Sequence, residues 1–165
     1  MLDDNDVVVF EATSIIEHLA LHYPGPVSLI PADPGIALDV RTMDRVFDNY
    51  VMRPMSWIVQ DALRPPQARD AQTVAQGRSV LDTAYRWPDQ RMAGREWAVG
   101  DTFSLADCAA APSLFYADWV HPIVEGFREL RTYRQRLLAR PSFARAVDEA
   151  QPYRRLFPLA ARDRD

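Results

Sequence analysis

Phe103-Ser104-Leu105-Ala106-Asp107 is the stretch on which the fold turns. A serine at a helix N-cap with an acid three residues later forms a reciprocal pair. The Ser104 hydroxyl accepts from the Asp107 N–H, and the Asp107 carboxylate accepts from the Ser104 N–H. Phe103 and Cys108 stand at the two ends of the hydrophobic staple that accompanies such a cap. The helix they start contains Ala109, Ala110, Ala111 and Leu114 and is apolar nearly all round, which predicts a buried central helix. Its apolar stretch, Cys108 to Val120, is too short to span a bilayer and contains Asp118.

Outward from this helix, the pattern predicts other helices on both sides. Two shorter ones follow, around Phe127–Leu138 and from Ser142, and Gln151–Asp165 reads as an extended, partly frayed tail. Before it, Asp70 to Met92 reads as a long helix with Val74, Leu81, Ala84 and Trp87 on one face, a bend at Pro88 and a stop at Gly94. Earlier still, Asp33-Pro34 is an N-cap followed by proline at the first helical position. Ile36, Val40, Met43, Phe47, Tyr50, Val51 and Ile58 then recur at steps of three and four as far as Pro65-Pro66, with a kink expected at Pro54. The four prolines between Pro24 and Pro34 mark a linker. Val7-Val8-Val9-Phe10, after an Asn5-Asp6 turn signal, reads as a short strand, followed by a helix through Ile15, Ile16 and Leu19. A lone strand leaves its backbone groups unpaired, so it is expected to pair with another chain or to be poorly ordered.

Composition narrows the function classes. The formal charge of −4 argues against a nucleic-acid footprint. All 19 basic residues are Arg, which removes Schiff-base and Walker-type phosphate chemistry, since both need an amine. The single cysteine excludes an internal disulfide and fits a reducing compartment. With an acidic start, Met1-Leu2-Asp3-Asp4-Asn5-Asp6, and no membrane span, a soluble cytoplasmic protein is expected.

Several segments, in the family's order along the chain, resemble the bacterial cytosolic branch of the glutathione S-transferases. Phe10-Glu11-Ala12-Thr13-Ser14-Ile15-Ile16-Glu17-His18-Leu19 is similar to the family's Glu-Ser segment and the helix after it. Phe103 to Asp107 resembles its capping motif, and Arg140-Pro141-Ser142-Phe143-Ala144 its terminal signature. Asp48-Asn49-Tyr50-Val51-Met52-Arg53-Pro54-Met55 and Asp61-Ala62-Leu63-Arg64-Pro65 resemble one bacterial subgroup. The resemblance implies a mainly α chain: a transferase-type C-terminal helical bundle over residues 34–158, preceded by one strand and one helix left from a thioredoxin-like domain in 1–23. Residues 24–33 are then the linker and 159–165 a tail. It implies conjugation of glutathione, as co-substrate, to small-molecule electrophiles by a homodimer, with no metal. It also implies that Met1-Leu2 falls just past the family's cis-proline. Three strands, two helices and the catalytic Ser, Cys or Tyr would then lie outside these residues, with no catalytic residue in this chain. The alternative is a non-catalytic helical dimerisation or binding module lacking the active half.

The resemblance assigns glutathione contacts to Glu11, Ala12 and Thr13. A helix N-terminus offers free N–H donors and partial positive charge to a carboxylate, and Glu11 can accept from the ligand's ammonium. Ala12 stands where the family has serine, which removes a hydroxyl donor, and Thr13 points unfavourably to replace it. Losing one hydrogen bond to a charged group costs roughly 1.5–3 kcal/mol, on the order of tenfold to a hundredfold in affinity. From position alone, without the resemblance, Glu11 reads rather as an acid decorating a first turn. Tyr50, Arg53 and Trp57 share one helix face, which in the family borders the electrophile cleft; an aromatic wall with one cation suits flat, electron-poor or anionic substrates. An interhelical or dimer contact is the other reading of that face. Tyr116 and Trp119 are candidates for the far wall, against a role in core packing. Ser104 and Asp107 read as a structural cap, and Cys108 as an inert core thiol. His18 and His22, four apart, have a zinc-compatible spacing, but no third ligand is evident and Glu17 projects off their face, so no metal site is expected.

Overall fold

A computed structural model describes residues 1–159. The chain is mainly helical, and among the described residues its framework is seven α-helices behind one small hairpin. Strands β1 (Leu2–Asp4) and β2 (Val7–Val9) pair antiparallel, with Leu2 opposite Val9 and Asp4 opposite Val7. This corrects the expectation of a lone strand seeking a partner chain. Asn5 and Asp6 both take left-handed φ, 50° and 71°, and two such residues reverse the chain with the twist a hairpin needs. The partner strand, Leu2-Asp3-Asp4, carries two acids and gives no strand signal, so the sequence shows one strand where the fold has two.

Helix α1 (Ala12–His22) follows, with no fully buried residue. A turn-rich segment leads to α2 (Pro34–Val46), whose N-cap Asp33 accepts from the Ile36 N–H at 2.8 Å. The helical path continues through a π segment (Phe47–Met52) into α3 (Arg53–Leu63). Pro54 therefore sits two residues past the π segment, in the first turn of α3. Proline lacks the donor an α-helix requires and its ring crowds the preceding carbonyl, and a widened turn accommodates both without ending the helix. Helix α4 (Ala71–Met92) starts at Asp70, which caps the Gln72 N–H, and runs through Pro88 to a stop before Gly94, at φ 70°. It crosses α3 closely at Gly77, where a Cβ would lie 3.0 Å from the Pro54 carbonyl oxygen.

Helix α5 (Leu105–Val120) is the central element, with twelve of its sixteen residues buried. The π segment and α2 pack against it, and Phe47, Val51, Leu81, Tyr85, Leu114 and Tyr133 fill the core between them. Helices α6 (Arg128–Ala139) and α7 (Pro141–Ala150) close the bundle. The stretch after α7 was expected to be extended. Instead Gln151–Leu156 is a 3₁₀ turn that brings Phe157 onto α5, because Tyr116 and Trp119 offer an aromatic face to cover. Of the expected 159–165 tail, residues 160–165 lie outside the described residues. Among the described residues, no helix is long and apolar enough to cross a membrane.

Candidate functional site

The start of α1 is built around a strained residue. Glu11 takes φ 66° and ψ 133° at the N-cap position, and its side chain makes no capping hydrogen bond. A non-glycine residue held at positive φ stores roughly 1–3 kcal/mol, the kind of strain that clusters at ligand sites. Glu11 and Ala12 are exposed, and the first N–H groups of the helix have no side-chain cap.

Thr13 points the other way. Its hydroxyl donates to Asp44 Oδ2 at 3.1 Å and accepts from Arg45 Nη2 at 2.8 Å. Arg45 also donates to Asp44 Oδ2, at 2.7 Å, and to Asp48 Oδ2, at 2.8 Å. Asp44 is buried, whereas the guanidinium is half-exposed. Burial, with Asp44 nearby, raises the Asp48 carboxyl above its ordinary value, and the Asp44 hydrogen bond raises the Arg45 guanidinium. A second clamp, bidentate from Arg41 to Glu17 at 2.9 Å for both bonds, holds the middle of α1 on α2. Sequence reasoning missed Asp44, Arg45 and the Glu17–Arg41 pair. One signal was available: Asp44 interrupts the apolar stripe Val40, Met43, Phe47, and an acid inside such a stripe has a partner or a task.

The positions read as the electrophile cleft separate onto two faces. Tyr50, with Thr42 and Val46 before it, lines a groove of about 460 Å³ between α2 and α4, facing Val80, Ala84 and Trp87. Tyr116 instead lines a cleft of about 340 Å³ with Met52, Met55, Ser56, Val59 and Phe157. Helical spacing accounts for the split: residues two apart on a helix point to roughly opposite sides, so Tyr50 faces the groove and Met52 the cleft, while Phe47 and Val51 between the two faces stay in the core. Arg53 is exposed and Trp57 half-buried, and neither joins the lining of these two hollows. Phe157 stacks on Tyr116 at 6.0 Å and meets Trp119 edge-on at 5.0 Å, so one aromatic cluster floors the cleft.

The structural cap carries more than the capping box. Ser104 and Asp107 close that box, with the Ser104 N–H 2.8 Å and its hydroxyl 3.0 Å from Asp107 Oδ2. Asp107 Oδ1 also accepts from the Ala98 N–H at 2.9 Å and from the Tyr133 hydroxyl at 2.6 Å. One fully buried carboxylate thus ties the 93–104 connection, α5 and α6 together. Burial, with Asp107 beside it, pushes the Tyr133 phenol well up. Burial also pushes the Cys108 thiol up to about 11, which leaves it protonated and unreactive at neutral pH. His18 is engaged with Asp4, Nε2 to Oδ2 at 2.8 Å, and its ring packs on His22.

Comparison with known proteins places this geometry. Residues 51–141 match the glutathione S-transferase C-terminal domain. The chain is 26% identical over 156 residues to FtsZ-localized protein A of Caulobacter vibrioides, covering 89% of this chain and 67% of that protein. It is 23% identical over 145 residues to the Escherichia coli glutathione S-transferase GstB, covering 88% of this chain and 70% of that one. A Methylobacterium radiotolerans glutathione S-transferase, solved with glutathione sulfonate, superposes with a TM-score of 0.72 at 29% identity, over 84% of this chain and 66% of that one. A Methylobacillus flagellatus enzyme with glutathione bound gives a TM-score of 0.73 at 25% identity, over 82% and 68%. The chain thus spans about two thirds of the length of these relatives. With more than half its residues matched to that domain, and its helices superposing on those of solved transferases, the chain belongs to the glutathione S-transferase family.

Proposed function

We propose that the protein binds glutathione at the start of α1 and, as a homodimer in the cytoplasm, presents the glutathione thiolate to a small electrophile held in the Tyr116 cleft. The observation that carries this reading is Glu11. Its strained backbone sits at an exposed helix start whose N–H groups have no side-chain cap, the place for a ligand carboxylate. The glutamate itself, with Asp44 and Asp48 around Arg45, sets negative charge where the ammonium of the same γ-glutamyl group would sit. The Thr13 and Arg41 clamps fix α1 on the bundle, and so fix any peptide it holds relative to the cleft. Met52, Met55 and Val59 beside Tyr116 suit a flat apolar electrophile, because methionines adapt to aromatic surfaces. On this reading the group that activates the thiol is none of the residues named here.

Calorimetric titration with glutathione tests the proposal. Millimolar or tighter binding is expected, weakened about tenfold by Glu11→Gln, which removes the charge opposite the ammonium. No binding by the folded chain would sink it. One observation favours the second reading, a non-catalytic module. Ala12 supplies no hydroxyl and the Thr13 hydroxyl is already engaged, so the site donates one hydrogen bond fewer.

A further inference from the structure

A cavity of about 610 Å³ opens at the end of the bundle, where the C-terminal turn of α5, the 121–127 connection and α6 meet. None of its lining residues belongs to α1, α2 or the Tyr116 cleft. Its volume lies inside the range of small-molecule sites, about 300–1,000 Å³. One wall is a single face of α6, since Arg131, Arg134, Gln135 and Leu138 recur at helical spacing. That face is rich in donors at one end and apolar at the other.

The charges in the lining are not equivalent. Asp118 is buried and its carboxylate is occupied. Oδ1 accepts from the Ile123 N–H at 2.7 Å, and Oδ2 lies 3.5 Å from Arg134 Nη2. Arg134, also buried, donates through Nε to the Leu114 carbonyl at 3.4 Å. These two neutralise each other and form a fixed polar wall. Arg131 is exposed and shares the lining with the apolar Ile123 and Val124, and its guanidinium carries a planar fork of donors. Val124 is 58% exposed, so apolar surface at the mouth stays in contact with water.

We propose that this cavity binds a small amphipathic carboxylate. The head group pairs with Arg131 beside the Arg134–Asp118 wall, and the aliphatic tail lies along Ile123, Val124 and Leu138. A guanidinium takes a carboxylate through two parallel N–H bonds, which gives a head-group preference that neutral or cationic amphiphiles lack. Glu125, also in the lining, opposes an anion and moderates the affinity.

The test is calorimetric titration of the protein with octanoate, with octanol and octylamine as controls. Octanoate should bind in the millimolar range or tighter, with octanol and octylamine each about tenfold weaker. Arg131→Gln, on the solvent side of α6, should weaken octanoate about tenfold, and Glu125→Gln should tighten it about twofold, with circular dichroism unchanged for both. No binding of octanoate, equal binding of octanol, or full affinity in Arg131→Gln would each overturn the proposal. The last result would point to uptake in the Tyr116 cleft instead. Glutathione binding, which depends on Glu11, is expected to be the same in Arg131→Gln, so either site can fail without the other.

Discussion

At the scale of single residues, Asp107 concentrates the most structural consequence in the fewest atoms. It is fully buried and takes hydrogen bonds from Ser104, Ala98 and Tyr133, drawn from three segments of the chain. A buried carboxylate with its lone pairs filled is stable only while its donors stay in place. Tyr133→Phe removes one of them without opening a cavity. It should lower stability by about 1.5–3 kcal/mol, measured by urea unfolding, since the lost bond is to a charged acceptor. An unchanged midpoint would mean that the 2.6 Å contact adds nothing. The Ser104–Asp107 half of this arrangement is legible in the sequence because capping is local and has a fixed spacing. Ala98 and Tyr133 are not, because long-range partners leave no pattern in one sequence.

At the scale of elements, the two features that set the candidate site were the least visible. The π segment from Phe47 to Met52 carries the helical path from α2 into α3 while keeping Phe47 and Val51 in the core, with Tyr50 on the groove side and Met52 on the cleft side. Pro54 signals a disturbance, but not whether the helix kinks or widens, since either outcome relieves the same clash. The hairpin was half legible. Val7–Val9 has strand character, whereas Leu2–Asp4 is recruited by pairing and by Asp4, which the Tyr23 hydroxyl reaches at 2.6 Å and His18 at 2.8 Å. The Tyr23 bond, then His18, lowers the Asp4 carboxyl below its ordinary 3.8, and Asp4 in turn raises the Tyr23 phenol above its ordinary 10.0. The tether is therefore at full strength above pH 3.8 and fades as pH falls through the lowered Asp4 value. At the other extreme it is intact below pH 10.0 and fades as pH rises through the raised Tyr23 value. Hydrogen-exchange protection of the hairpin amides should hold near pH 6 and drop as pH falls through the lowered Asp4 value, before the bundle unfolds. Protection lost only together with the core would show that the tether does not hold the hairpin.

At the scale of the whole molecule, the arrangement of helices was readable because the central helix is apolar on all sides and its neighbours on one. That contrast fixes which helix is surrounded and which ones do the surrounding. What covers the outer faces was not readable, since an apolar residue reads alike whether core or partner buries it. The α2–α4 groove, with Trp87 43% and Tyr50 57% exposed, supports the homodimer reading. Light scattering should give twice the mass of one chain, and Trp87→Asp should give the monomer. A monomeric parent protein would assign the groove to something other than a second copy.

The account turns on the start of α1, and amide-resolved NMR during a glutathione titration examines it most directly. The predicted result is saturable shifts concentrated at Glu11, Ala12, Thr13 and Ser14, with smaller ones at Asp44 and Arg45 and none at Arg131. Shifts absent from these residues at millimolar glutathione, in a chain that keeps its folded spectrum, would contradict it.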